Sequence, residues 1–107
     1  MKQIKSNLSM STEPSPFYIA CEKGDLNKVK SLFIKVNPDK LEPNGSTALH
    51  VAAYYGYYDI VKYLLEHGCS PNINNQYGRT ADQEASNDQI REIFQQAKDG
   101  KIQKHFD

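Results

Sequence analysis

Gly45-Ser46-Thr47-Ala48-Leu49-His50-Val51-Ala52-Ala53-Tyr54-Tyr55-Gly56-Tyr57-Tyr58-Asp59-Ile60-Val61-Lys62-Tyr63-Leu64-Leu65-Glu66-His67-Gly68 is the stretch whose reading decides the fold. It recurs in degraded form on both sides of itself. Upstream, Ser15-Pro16-Phe17-Tyr18-Ile19-Ala20-Cys21-Glu22-Lys23-Gly24 echoes its first half, followed by Val29 and the pair Leu32-Phe33. Downstream, Gly78-Arg79-Thr80-Ala81 echoes its opening, and Ile90 with Ile93-Phe94 echoes its close. Gly24 and Gly56 stand 32 residues apart, and Gly45 and Gly78 stand 33 apart. A period near 33 means copies of one supersecondary unit, each of which buries its apolar face on the next.

Within the central copy, residues 47 to 55 and 57 to 67 read as two short helices joined at Gly56, a residue free to take the backbone geometry of a tight helix–helix turn. Ile60, Val61, Leu64 and Leu65 form one apolar stripe at helical spacing. Leu26, Val29, Leu32, Phe33 and Val36 form the matching stripe in the first copy, and Ile90, Ile93, Phe94 and Ala97 the third. Asp25 is a helix N-cap by position, and Asn87 or Ser86 takes that part in the third copy. Gly68 and Gly100 are stop signals. Pro38, Pro43 and Pro71 fall between copies, where turns are needed. Ala20, Ala52 and Ala85 place a small residue at one point of each unit, where stacked backbones approach closely. No alternating stretch is long enough to signal a strand.

These residues closely resemble the ankyrin repeat. That unit reads Gly-x-Thr-Pro-Leu-His-x-Ala-Ala, then x-x-Gly, an Ile-Val-x-x-Leu-Leu helix, and Gly-Ala-Asp-x-Asn. Here Thr47-Ala48-Leu49-His50, Ala52-Ala53, Gly56, Ile60-Val61, Leu64-Leu65 and Gly68 fall in register, and Cys69-Ser70-Pro71-Asn72 replaces Ala-Asp-x-Asn. The resemblance runs over roughly residues 14 to 98. It implies an all-α fold, a short solenoid of stacked helix-turn-helix units with β-turn or hairpin connections. The units are about 14–41, 42–74 and 75–99. Residues 1–13, rich in Ser, Lys and Asn, read as a disordered N-terminal segment, and 100–107 as a charged tail. Glu13-Pro14 stands where the first unit would have its Gly-x, and Asp82-Gln83 replaces Leu-His in the third. Only three residues separate Ala85 from Gln89, so the third unit's first helix must be short. Both outer copies therefore read as caps around one full repeat. An array this short is expected to be marginally stable.

Composition narrows the function. The chain has 107 residues, one domain by length, and its 13 basic and 13 acidic residues cancel. No overall attraction to nucleic acid or to an anionic membrane follows. No apolar stretch approaches the roughly 20 residues of a spanning helix, and the N-terminus lacks a secretory apolar core. Two separated cysteines, Cys21 and Cys69, make no disulfide framework and suit a reducing, cytoplasmic or nuclear, compartment. His50, His67 and His105 with those cysteines give no zinc spacing. There is no phosphate loop, metalloprotease motif or acidic calcium loop. No catalytic residue, cofactor or metal is expected. The resemblance assigns His50 to a hydrogen bond with Thr47 and neighbouring backbone, and His67 suits a helix C-terminus.

What remains is a surface. The family pattern places the two residues before the central Gly on the concave side, beside the hairpin tips, so Tyr54 and Tyr55 are expected in the groove. Tyr57 is expected half-buried between repeats and Tyr58 exposed. Glu22 and Lys23 hold the equivalent places in the first unit. Asn44 and Ser46, then Tyr77 and Arg79, flank the turns, together with Pro43 and Gln76. Tyrosine offers large contact area at low entropic cost and a hydroxyl handle. The expected function is non-catalytic binding of a protein or peptide through Glu22, Lys23, Asn44, Ser46, Tyr54, Tyr55, Tyr77 and Arg79. Alternatives of other kinds are a regulatory or targeting fragment of a larger enzyme or signalling protein, and a self-associating module; a monomer is the simpler expectation.

Overall fold

A computed structural model describes residues 13–102; the N-terminal segment before Glu13, and the tail from residue 103 with His105, lie outside the described residues. The elements are α1 (Pro16–Lys23), α2 (Leu26–Phe33), α3 (Ala48–Tyr55), α4 (Tyr58–Glu66), a 3-10 turn (Ala81–Glu84) and α5 (Asp88–Lys98). No strand occurs among the described residues. The chain is an all-α stack of three helix pairs, the first helix of the last pair being reduced to the 3-10 turn.

A side-chain cap starts α1, α2, α3 and α5, whereas α4 opens at Tyr57 without one. Ser15 accepts from the Tyr18 N–H at 3.2 Å, with Pro16 at the first helical position. Thr47 accepts from the His50 N–H at 3.3 Å, Asp25 from Lys28 at 3.1 Å, and Asn87, rather than Ser86, from Ile90 at 2.9 Å. Both inter-helix turns close the same way. Gly24 and Gly56 take φ of 75° and 80°, which lets the next N–H, of Asp25 or Tyr57, reach back to the Ala20 or Ala52 carbonyl at 3.0 Å. Added side-chain atoms would collide there. A Cβ on Gly24 would meet the Tyr57 ring at 2.9 Å, and one on Gly56 would meet Ser86 Oγ at 2.7 Å. Each turn is thus covered by the following unit, and Tyr57 is half-buried between units as expected. Tyr58, expected exposed, is half-buried against the core instead. It opens α4, whose inner face carries the apolar stripe.

The core runs through the stack. Ile60, Val61, Leu64 and Leu65 are all fully buried, as are Ile90 and Phe94. In α2 only Val29 is buried; Leu26, Leu32, Phe33 and Val36 are half-buried. Among the described residues this unit has a neighbour on one side only, and the same stripe is less enclosed there. Ala20, Ala52 and Ala85 are buried at equivalent points. Between units the chain makes tight turns rather than strands. Gly45 N–H donates to the Glu42 carbonyl at 2.8 Å and Gly78 N–H to Asn75 at 2.9 Å. The two turns are joined by the Gln76 N–H on the Gly45 carbonyl at 2.8 Å.

Candidate functional site

The candidate face is assembled from the ends of helices and the tips of these turns. His50 shows how. Its Nε2 lies 2.8 Å from the Arg79 carbonyl, which can only accept, so that nitrogen carries a proton. Its Nδ1 meets the Thr47 hydroxyl at 2.7 Å. The ring, 3% exposed, therefore ties the central helix pair to the next turn. With both nitrogens engaged in structural bonds, His50 is not placed to act as a base. Tyr18 stands at the same point of the first unit and does the same job differently: its hydroxyl accepts from Asn44 Nδ2 at 3.0 Å. The buried Glu42 carboxylate anchors the first unit from the other direction, accepting from the Ser15 N–H and hydroxyl at 2.9 and 2.8 Å.

This bracing holds open a concavity of about 220 Å³. It is smaller than the roughly 300–1,000 Å³ typical of enclosed small-molecule sites. Of the residues expected at the binding face, Glu22, Asn44, Ser46, Tyr54, Tyr55 and Tyr77 line it. Tyr54, Tyr55 and Tyr77 are 58%, 51% and 75% exposed. Tyr54 and Tyr55 meet edge to face with centroids 5.1 Å apart, and Tyr55 stacks on Tyr57 at 6.1 Å. Lys23 lies elsewhere, in a recess with Pro16, Ile19 and Asp25. Arg79 does not line the concavity either. Its guanidinium turns back to Glu84 Oε2 at 2.8 Å and to the Gln83 carbonyl. Arg79 enters the face through its backbone, by way of His50. The face also includes Tyr18, Val51, Asn75 and Glu84, which sequence reasoning left out. Tyr18 was findable, because it occupies the register position of His50.

The remaining reactive groups are structural. Cys21 and Cys69 are free thiols, both buried. Burial pushes the Cys21 thiol up to about 12, with Glu42 nearby adding to the effect. Cys69 is pushed up as well, by burial first and then by Asp39 and Cys21. Thiols held protonated in this way are poor nucleophiles. His67 stacks on Tyr63 at 4.0 Å and its Nδ1 bonds the Tyr63 carbonyl at 2.8 Å, a C-terminal helix cap. Among the described residues no group of three His, Cys, Asp or Glu is placed to hold a metal, and no helix is long and apolar enough to cross a membrane.

Stacked helix pairs, covered glycine turns and a histidine bridging successive turns define a helical repeat protein. Comparison with known proteins names the class more closely. A family model described as ankyrin repeats in three copies matches residues 4–98. The chain belongs to the ankyrin-repeat family. It is 34% identical over 68 residues to a probable 26S proteasome regulatory subunit of Saccharomyces cerevisiae, covering 61% of this chain and 30% of that protein. It is 45% identical over 60 residues to a potassium channel of Arabidopsis thaliana, covering 56% and 8%. An ankyrin repeat-containing protein of Schizosaccharomyces pombe is 38% identical over 72 residues, covering 66% and 35%. The chain thus spans about a third or less of the length of these relatives. Ankyrin repeats are in general protein–protein interaction modules.

Proposed function

We propose that the chain is a non-catalytic interaction module that takes a protein or peptide partner on its concave face, with Tyr54, Tyr55 and Tyr77 as anchors. The observation that supports this reading is the exposure of all three rings around one concavity held by a rigid hydrogen-bonded frame. Rigid aromatic side chains on a pre-organised surface lose little entropy on binding. Asn44 and Ser46 play a supporting part. Asn44 is occupied by Tyr18 and the Ser46 N–H, and the Ser46 hydroxyl by the Thr47 carbonyl, so they hold the turn that presents the tyrosines. The repeat domain in this proposal spans 14–99, and the two buried thiols fit a reducing, cytoplasmic or nuclear, setting.

The test is affinity capture from the source cells with wild type beside Tyr54→Ala/Tyr55→Ala, circular dichroism confirming that both fold. A partner held by wild type and lost by the variant supports the concave face. A partner held equally by both moves the site elsewhere on the molecule. The size of the relatives favours a second reading, in which this module targets or regulates a longer protein. An open reading frame continuing past either end of the chain supports that reading, and a stop at both ends removes it.

A further inference from the structure

The concavity has a sign of charge. Its lining includes two carboxylates, Glu22 and Glu84, and no lysine or arginine, although the whole chain is neutral. Glu84 is answered from within the fold, by Arg79 at 2.8 Å and by Asn75 Nδ2 at 3.4 Å. Glu22 is not: the half-buried side chain makes no hydrogen bond or ion pair with another described residue. Its chain neighbour Lys23 points into a different recess.

Around this carboxylate the wall is aromatic. Exposed tyrosine faces attract cations through the ring quadrupole, and a carboxylate partly removed from bulk water interacts more strongly with a counter-charge than an exposed one. Both features favour the same guest. An acidic guest would be repelled by Glu22, and an apolar one would strip its remaining water and offer no counter-charge in return. The chain already uses this pairing elsewhere, with Lys30 Nζ 5.7 Å from the centre of the Tyr63 ring.

We infer that the concave face selects an extended peptide segment carrying a basic side chain, whose head is held between the Tyr54–Tyr55 pair and Glu22. Arginine is favoured over lysine, because its flat guanidinium stacks on a ring while its edge pairs with a carboxylate. This inference rests on the concave-face reading and adds the chemistry of the partner to it.

The experiment displays a random linear peptide library against the full chain. The tightest peptide is then measured by fluorescence anisotropy against wild type, Tyr54→Ala/Tyr55→Ala and Glu22→Gln. Tyr54 and Tyr55 are exposed and Glu22 lacks an internal partner, so these variants are expected to fold, which circular dichroism checks. The expected result is a shared arginine or lysine among the selected peptides. Replacing that arginine by citrulline should weaken binding about tenfold. Glu22→Gln should weaken it about fivefold, and added salt should weaken binding to wild type more than binding to Glu22→Gln. Peptides that depend on Tyr54 and Tyr55 but tolerate citrulline and Glu22→Gln overturn the basic-segment inference and leave the concave face standing. Peptides indifferent to the tyrosine change, or a library with no binder, overturn both.

Discussion

The central and C-terminal units begin alike and end differently. Each opens with Gly-x-Thr-Ala, at Gly45 and at Gly78, and each turn closes with the same pair of backbone hydrogen bonds. After the threonine they part. In the centre, Leu49 and His50 continue into a two-turn helix with six of its eight residues buried, Ala48 through Ala53. At the end, Asp82 and Gln83 follow, and the chain makes one 3-10 turn in which only Ala81 is buried. His50 reaches forward to the next unit's Arg79 carbonyl. Gln83, with no described unit beyond it, folds back and accepts from its own Thr80 N–H at 2.9 Å, forming a capping box. The glycines tell the same story. A Cβ built on Gly45 would meet the Gln76 side chain at 2.6 Å, whereas nothing lies within 4 Å of one built on Gly78. Gly-x-Thr-Ala thus opens both a buried helix and a solvated turn, and the residues that follow it, Leu49-His50 or Asp82-Gln83, distinguish the two.

The sharpest test of this contrast is whether the end unit is nonetheless integral to the core. Phe94 is the largest fully buried side chain among the described residues, so Phe94→Ala should cost about 3–5 kcal/mol, comparable with about 2–5 for Leu64→Ala in the centre. Urea unfolding of the two variants decides it, and a Phe94→Ala loss below about 1 kcal/mol would make the last unit a loose appendage. Next in size are two turn glycines, one covered by the next unit and one open. Gly56→Val should cost about 3 kcal/mol, because it adds left-handed strain and a clash with Ser86. Gly78→Val carries only the strain, about 1–2 kcal/mol. Equal melting-temperature losses would show that the covering of Gly56 by the third unit contributes nothing.

A smaller effect separates the two polar devices. His50→Ala removes the buried side-chain bonds to the Arg79 carbonyl and the Thr47 hydroxyl, which keep only their backbone partners, the N–H groups of Asn75 and of residue 50, and should cost about 1–3 kcal/mol. Exposed Gln83→Ala should cost about 0.5–1 kcal/mol. Thermal melts in which Gln83→Ala costs as much as His50→Ala would contradict the contrast. The smallest effect concerns the surface of the end unit, where Lys98 Nζ lies 2.7 Å from Asp82 Oδ2. Partial burial alone would raise the Asp82 pKa. The hydrogen bonds from Lys98 and Thr80, with the Lys98 charge, outweigh it and hold the carboxyl below its ordinary value. A depressed folded-state pKa adds stability above the unfolded value, near 3.8, and loses it as pH falls through the lower folded value. Asp82→Asn should then cost at most about 1 kcal/mol at neutral pH. The gap to wild type should shrink as acid is added below that value, and a gap that stays constant down to strongly acid pH refutes the assignment.

Much of this molecule was legible in one dimension. The period of 32–33, the caps at Asp25 and Asn87, the glycine turns and the Ile60-Val61-Leu64-Leu65 stripe are local or periodic signals. Spacing alone places such residues on one face, and the Thr47–His50 bond is only three residues long. The concave position of Tyr54 and Tyr55 followed from the register of the repeat. Side-chain partners were less readable. Arg79 counts as a surface residue in the sequence, yet its guanidinium is claimed by Glu84, five residues on, and Lys23 faces away from the groove that its neighbour Glu22 enters.

The sequence by itself determined that the chain is a stack of helix pairs and where each pair turns, because helix periodicity, capping and left-handed glycine act within a few residues. Only the tertiary structure decided which polar groups are spent and which remain open. Glu42 is consumed by Ser15 across 27 residues, and Glu84 by Arg79, while Glu22 is left with no partner among the described residues. Those pairings depend on how one unit settles on the next, a distance in space that no spacing along the chain encodes.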